Sequence, residues 1–459
     1  MTVLIALGIT GTLSLFFGVF KWNKAVLPLV VVGLLAALAL NGMYWNTNAS
    51  FFNNMMTMDN YAVAFTAVSL FLLLMLILFY DSLSGEFEHH LAEVYALMLY
   101  GLVGGVVLFS FRNMLMLFLG IEILSISFYI LCGLRKGNLA SNEAALKYFL
   151  MGSFSTGFLL MGMALIYGVT GSLDLDAIAN YTQQFAYGVP VYFTVGIMML
   201  LMGMFFKTAA VPFHFWTPDV YDGAPTIVTA LMATIGKICF FAAFYLLFSH
   251  CFIPVLDHWQ QLVGIVAAVS MTVGNIAALQ QKSLKRMLAY SSIAHAGYML
   301  MALVAVNELS AGSILFYSAG YGLASLAAFI VVFMVKRYNN GDDTAEAFHG
   351  LSRTNPTVAL VMAIAMLSLA GIPATAGFFG KFYVFSSAVK SGMLWLVVVA
   401  VVNSFIGAYY YLRPVVGAYF EKGTSATLVD GGVPRWLLIL LAVLTVLVGV
   451  APQVLAGVL

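Results

Sequence analysis

The sequence predicts an all-α, polytopic membrane protein with about fourteen transmembrane helices. Three observations predict it: charge is nearly absent, apolar runs of bilayer length follow one another, and cationic residues keep to alternate connections between those runs. Of 459 residues, 63% are hydrophobic and only 8% are charged. A soluble globular chain carries roughly 25% charged residues, and so few charges cannot cover an aqueous surface for a chain of this size. The solvent is the bilayer. A net charge of +1 and the lack of any basic tract give no sign of a nucleic-acid partner. Cys132, Cys239 and Cys251 lie far apart among apolar residues, and read as small packing hydrophobes rather than disulfide or metal ligands.

A hydrocarbon core about 30 Å thick takes roughly 20 helical residues at about 1.5 Å each. That ruler places spans near 3–20, 25–42, 61–80, 92–110, 114–134, 144–168, 190–216, 225–248, 259–280, 284–306, 311–335, 356–388, 393–415 and 435–457. The first lacks a small-residue cleavage site and is expected to be retained as a span. Two runs exceed one simple crossing and hold an internal proline: 190–216 with Pro212, and 356–388 with Pro373. An interior proline removes a backbone hydrogen bond and clashes with the preceding turn. At membrane depth the freed groups need protein or water partners, so both helices are expected to be broken. They are the seventh and twelfth spans. A five-span repeat returns upside down in the membrane, so spans 4–8 and 9–13 read as inverted repeats with one broken helix each. The expected layout is a single transmembrane domain over 1–459. It comprises three N-terminal spans (1–90), a first repeat (91–250), a second repeat (255–420) and a last span (430–459).

Connections after odd-numbered spans hold Lys21, Lys24, Arg135, Lys136, Lys282, Lys285, Arg286, Lys336, Arg337 and Arg353, with Arg413, Lys422 and Arg435 in or beside the last of them. Connections after even-numbered spans hold only Arg112 and Lys390. The positive-inside rule therefore puts the odd connections in the cytoplasm and both termini outside. The connection with Asp81, Glu86 and Glu88 carries no cation, but acidic residues weigh little in this rule.

The remaining charges lie inside spans, where each costs roughly 2.5–3.5 kcal/mol at the bilayer centre. Helical rise puts Glu122 about 12 Å into span 5, and Lys237 and His295 roughly 16–18 Å into spans 8 and 10. Lys207 precedes the Pro212 break and Lys381 follows the Pro373 break. All five fall near the midplane and form a row parallel to the membrane. A glutamate near a lysine holds it charged while desolvation opposes that charge, and histidine titrates near neutral pH. A water-joined string of such groups relays protons. Simpler roles stand beside this one. A Glu122–Lys207 pair would lock two helices, His295 would be satisfied by Ser291 or Ser292, and Lys237 would snorkel. Three accessory candidates are Glu93, an interfacial residue opening span 4, Lys147, at a position suited to snorkelling, and His214. His214 sits two residues after Pro212, where it would satisfy freed backbone groups or gate water. Asp219 and Asp222 read as a loop and helix-start pair before Pro225.

The segments Phe206–Thr226 (FKTAAVPFHFWTPDVYDGAPT), Leu284–Tyr298 (LKRMLAYSSIAHAGY) and Met366–Phe385 (MLSLAGIPATAGFFGKFYVF), with FLGIEILSIS around Glu122, carry a resemblance over essentially the whole chain. They resemble the antiporter-like membrane subunits of the bacterial proton-pumping NADH:quinone oxidoreductase, respiratory complex I. Lysine rather than glutamate at the span-12 position narrows the resemblance to one branch. The resemblance implies fourteen helices with inverted five-helix repeats, and a proton channel driven by quinone reduction elsewhere in the complex. It also implies that Glu122, Lys207, Lys237 and Lys381 are the family's span-5, span-7, span-8 and span-12 residues. Other complex I membrane subunits, further antiporter-like subunits among them, and membrane lipids are the implied partners, in the bacterial cytoplasmic membrane. No motif for NADH, flavin, iron–sulfur or quinone is visible, so those cofactors are expected in partner chains. The alternatives are a subunit of a multi-chain cation/proton antiporter or membrane-bound hydrogenase, a stand-alone solute transporter, and a structural membrane subunit. The orientation is directly testable: a cysteine placed at Lys282 should react with an impermeant thiol reagent only from the cytoplasmic side. Labelling only from outside would invert the topology.

Overall fold

A computed structural model describes all residues except 83–89, 185–187, 340, 424–434 and 459. The acidic stretch with Glu86 and Glu88 thus lies outside the described residues. Two rim helices, α1 (Thr2–Val19) and α2 (Asn23–Gly42), lead through a short hairpin, β1 (Ala49–Phe51) and β2 (Met56–Met58), into α3 (Asn60–Ser82). Then come α4 (Leu91–Ser110), α5 (Met114–Cys132), α6 (Leu139–Thr170), the short α7 (Leu175–Thr182) and α8 (Val191–Thr208). Next, α9 (Trp216–Gly223) leads to α10 (Thr226–Leu231), which runs through a π-helical turn (Met232–Gly236) into α11 (Lys237–Cys251). The second half holds α12 (Gln260–Leu279), α13 (Leu284–Ala305), α14 (Ser310–Tyr338), α15 (Leu351–Thr354), α16 (Pro356–Ala370) and α17 (Ala376–Lys390). The chain closes with α18 (Leu394–Phe420), α19 (Arg435–Val450) and α20 (Gln453–Ala456).

Among the described residues, twelve helices are long and apolar enough to cross a membrane, with α10 and α11 taken as one. The apolar α16 and α19 are shorter. The predicted run 356–388 is therefore two helices, and 190–216 ends as a helix at Thr208. Both stops have the same cause. Ala209 (φ 60°) and Gly371 (φ 86°) are left-handed and close the preceding helix, and Pro212 and Pro373 cannot restart it at once. At 32 residues α6 exceeds its predicted span; at about 48 Å it outreaches a 30 Å core. Neither the hairpin nor the π-turn had a hydropathy signal.

With no aqueous hydrophobic drive between helices in lipid, close packing holds the bundle together, and small residues permit it. Two crossings are reciprocal. A Cβ on Gly104 of α4 would sit 2.8 Å from the Gly120 carbonyl of α5, and one on Gly120 would sit 3.1 Å from the Gly104 carbonyl. Gly162 of α6 and Gly196 of α8 repeat those distances. Likewise α12 and α13 close on Gly274 and Gly297, whose added Cβ atoms would each meet backbone at 2.6 Å. The most enclosed helices are α10–α11, α13 and α14. Lys237, Lys285 and His295, all buried, lie on them. Gly162→Leu should force α6 and α8 apart at a cost of at least 1–3 kcal/mol. Native-gel analysis of membrane extracts should then find the chain missing from its complex; normal assembly would show that the close crossing is dispensable.

Candidate functional site

The side chains of Lys207, Lys237, His295 and Lys381 are 3%, 3%, 4% and 7% exposed. That burial rules out snorkelling for the lysines, since a snorkelling ammonium stays in water. Lys207 occupies the last turn of α8, directly before the first break. Its Nζ donates to Ser125 Oγ at 2.9 Å and to Tyr129 OH at 3.5 Å, both on α5. Glu122, one turn earlier on α5, is half-buried and accepts a bond from Thr156 Oγ1 of α6 at 2.8 Å. The two sites share a helix, yet Glu122 and Lys207 are not in ion-pair contact: each is satisfied by hydroxyls.

Lys237 follows the π-turn on α11 and donates to the backbone carbonyl of Ser292 on α13. Three residues on, His295 lies between two tyrosines. Its Nδ1 is 2.6 Å from Tyr317 OH of α14, and its Nε2 is 2.9 Å from Tyr411 OH of α18. Ser291 bonds Tyr411, not the histidine, which corrects the serine-satisfied expectation. Three residues further, the ring of Tyr298 faces Lys381 Nζ, 5.0 Å from its centroid, within cation–π range. Lys381 itself donates to the Ala370 carbonyl at 2.8 Å. That carbonyl ends α16, where the helix dipole favours a cation. One helix, α13, thus carries His295 itself and touches two other members of the row, Lys237 through Ser292 and Lys381 through Tyr298. Phe128 of α5 packs against Gly236, the neighbour of Lys237, where a Cβ would come within 2.7 Å of Phe128 Cε2.

The accessory candidates separate from this row. Lys147 pairs with Glu143 at 2.6 Å and with Asp219 at 3.0 Å. It therefore belongs to a polar cleft of about 660 Å³ on the cation-rich face, lined also by Arg135, Lys285, Arg286 and Lys336. Asp219 and Asp222 lie on α9, not in a loop. Asp219 also meets Arg286 at 3.0 Å. Partial burial pushes its carboxyl up, but Lys147 and Arg286 outweigh that and hold it below its ordinary range. Lys285, expected in a connection, is buried and donates to the carbonyls of Asp222 at 2.9 Å and Ala224 at 2.5 Å. Its place at the first turn of α13 could have been read from Ser283 as a capping residue. Glu93 is half-exposed, 3.8 Å from His90, and joins nothing in the row. His214 is buried against the Phe215 ring beside the first break. Among the described residues no group of three or more His, Cys, Asp or Glu is placed to hold a metal.

Known proteins match this chain over nearly its whole length. A family model described as NADH:quinone oxidoreductase/Mrp antiporter, transmembrane, matches residues 112–407. NADH-quinone oxidoreductase subunit N of Cytophaga hutchinsonii is 40% identical over 457 residues, covering 99% of this chain and 98% of that protein. The subunit N of Flavobacterium johnsoniae is 40% identical over 429 residues, 92% of each. Among solved structures, a chain of respiratory complex I from Thermus thermophilus with bound aureothin superposes with a TM-score of 0.84 at 34% identity, covering 99% of this chain and 98% of that one. A chain of the Mrp complex from Dietzia sp. DQ12-45-1b shares the fold at a TM-score of 0.84 and 20% identity, over 100% of this chain and 96% of that one.

The His295 cluster predicts a measurable cost. Tyr411→Phe strips partners from His295 Nε2 and Ser291 Oγ, both buried, at about 1–3 kcal/mol. Thermal inactivation of the assembled protein should shift down by several degrees, whereas Tyr409→Phe, 71% exposed, should shift nothing. Equal midpoints for the two variants would remove Tyr411 from the cluster's support.

Proposed function

Because the chain belongs to the NADH:quinone oxidoreductase/Mrp antiporter transmembrane family, we propose that it works as the subunit-N component of a bacterial proton-pumping NADH:quinone oxidoreductase. In this reading it moves protons along Glu122, Lys207, Lys237, His295 and Lys381. The supporting observation is that three buried lysines, each on neutral oxygen acceptors, and one doubly bonded histidine adjoin α13 or the first helix break. A purely structural subunit has no need of four such groups, each opposed by desolvation. Among the described residues, the pockets that touch the row at His295 and at Lys381 are lined mainly by apolar groups, which disfavours a solute transporter. The relatives at 40% identity favour subunit N over a cation/proton antiporter subunit.

In the proposed cycle, quinone reduction in partner subunits changes the field at Glu122. At about 4 Å and an effective dielectric near 20, a closed Glu122–Lys207 pair is worth about 4 kcal/mol. That is enough to decide whether Lys207 keeps its proton: approach of the carboxylate retains it, and separation releases it. A released proton passes to Lys237. From there His295 takes a proton at one ring nitrogen and gives one from the other, as Tyr317 and Tyr411 rotate their hydroxyls, and Lys381 ends the row. The flavin, iron–sulfur and quinone sites belong to partner subunits. The cation-rich face lies in the cytoplasm and both termini lie outside, in the bacterial cytoplasmic membrane. Spans 4–8 and 9–13 form inverted repeats. The matching breaks support that reading, as does a recurring pairing: α4 with α5 and α6 with α8, then α12 with α13 and α14 with α16 and α17.

Lys207→Ala should cut proton pumping in reconstituted vesicles at least tenfold, and coupled quinone reduction with it, while native gels still show the assembled complex. Lys207→Arg should fail as well, because arginine stays protonated. Lys390→Ala, whose lysine sits half-exposed on Glu308, should be nearly silent. Near-normal pumping by Lys207→Ala would leave that lysine a structural role only.

A further inference from the structure

The first helix break leaves a notch in the outer wall of the bundle. Helix α8 stops at Thr208, and the chain runs through Pro212 and Phe215 before α9 begins. Between the end of α8 and the flank of α6 lies a groove of about 250 Å³, lined by Met151, Phe154, Phe158, Met202, Pro212 and Phe215. Its floor is the stacked pair of Phe206 and Trp216, whose ring centroids are 5.5 Å apart. Trp216 is tied there by its Nε1–H, which donates to the Phe206 carbonyl at 3.2 Å. Phe154 and Phe215 are 72% and 70% exposed, so the groove opens on the bilayer. Left empty it would forfeit dispersion contacts along its whole lining.

The polar cleft of about 660 Å³ on the cation-rich face adjoins this groove along the same two helices. On α6, Glu143 and Lys147 line the cleft, and Met151, Phe154 and Phe158 line the groove. Steps of three or four residues keep all five on one face of the helix. On α9, Trp216 lines the groove and Asp219 the cleft, one turn apart. The Lys147–Asp219 pair, at 3.0 Å, stands at the junction. Beside it the Tyr148 ring stacks on Trp216 at 4.5 Å. Helical rise puts the groove roughly 6 to 16 Å deeper than Lys147.

Charge in the cleft is unbalanced. Arg135, Lys147, Lys285, Arg286, Lys336 and Arg337 line it against Glu143, Asp219 and Asp222. Asp343 meets Lys336 at 3.4 Å and adds a fourth carboxylate, so six cations face four anions and a surplus of two positive charges remains. Lys285 is 2% exposed, and the carbonyls of Asp222 and Ala224 take two of the three N–H donors of its ammonium. Basic pockets between transmembrane helices suit phosphate-bearing head groups.

We propose that cleft and groove together bind one anionic phospholipid, its phosphate among the cleft cations and one acyl chain in the groove against the first break. A free phosphate would leave the groove to bulk lipid, and a neutral lipid would leave the surplus charge unanswered. The site does not depend on the proton row, although it borders it. Ser155 lines the groove and precedes Thr156, the partner of Glu122, and Phe206 precedes Lys207. A chain seated there braces α6 against the end of α8.

The test uses the assembled complex in phosphatidylcholine vesicles. A trace of phosphatidylglycerol or of phosphatidylcholine, carrying a photoreactive diazirine midway along one acyl chain, is added and irradiated. The share of all crosslinks that falls on residues 151–158 and 206–216 is then measured. That share should be about tenfold larger for the phosphatidylglycerol probe, because each surplus cation near an anionic head group favours it severalfold. Lys147→Gln should cut the ratio severalfold. Met151→Trp, whose ring fills the groove, should abolish crosslinks of both probes there. Equal shares for the two probes overturn the proposal, since they mean bulk lipid alone, and so does a wild-type pattern in both variants. If neither variant assembles, competition on the wild-type complex decides. Excess unlabelled phosphatidylglycerol should displace the anionic probe and inorganic phosphate should not. Failure of the first, or displacement by phosphate, overturns the site.

Discussion

A cation held in a bilayer must be given oxygen atoms, and the protein obtains them by breaking its helices. An intact helix has spent its carbonyls internally. A helix that stops inside the bundle exposes the carbonyls of its last turn, with the negative end of its dipole beside them. Lys381 takes the Ala370 carbonyl where α16 stops, and Lys285 takes those of Asp222 and Ala224 where α9 stops. Lys237 is one exception: it takes the carbonyl of Ser292 within the unbroken α13, just past a π-helical turn in its own span. Such turns are frequent at functional sites. Lys207 is another. It lies at the end of a stopped helix but reaches sideways to hydroxyls on α5, leaving its environment open to change by Glu122.

The same constraint explains the dense packing around these groups. A lysine on one carbonyl is costly if lipid or a cavity occupies its other sides, so the helices that carry the row must be enclosed by others. The reciprocal glycine crossings bring α4 onto α5 and α6 onto α8 at backbone distance, which fixes the Lys207 site. The α12–α13 crossing does the same for α13, and so sets the register of Ser292, His295 and Tyr298 together. One helix thereby aligns three members of the row, at positions three residues apart. A small rotation of α13 would shift all three at once.

Much of this was legible in the sequence, for physical reasons. Membrane class and span positions follow from hydropathy, and both breaks follow from prolines inside overlong apolar runs. The burial of Lys207, Lys237, His295 and Lys381 follows from their places inside apolar runs. Partners were less legible, because they are set by three-dimensional packing. Nothing in the spacing marked Tyr317 and Tyr411 as the neighbours of His295, since they come from α14 and α18. Nor did it show that Lys285 turns inward while Lys282 faces out. The expected Glu122–Lys207 pair was chemically reasonable, but Thr156 and Ser125 offer each partner a neutral alternative that no charge count reveals.

Where the row is interrupted matters as much as where it is joined. A hydrogen-bonded chain unbroken from one face to the other would let protons run down their gradient and do no work. Here Lys207 and Lys237 donate to different partners, Phe128 packs against Gly236 beside Lys237, and Glu122 rests apart from Lys207. In the proposed row, transfer from Lys207 to Lys237 would require a side chain or a helix to move. The residues best placed to move lie at that point: the π-turn Met232–Gly236 has looser backbone bonding than the helix around it, and it holds Lys237 at its end. A pump needs its proton wire to be discontinuous at the point where energy enters. In the proposed row that discontinuity would fall between Lys207, beside Glu122, and Lys237.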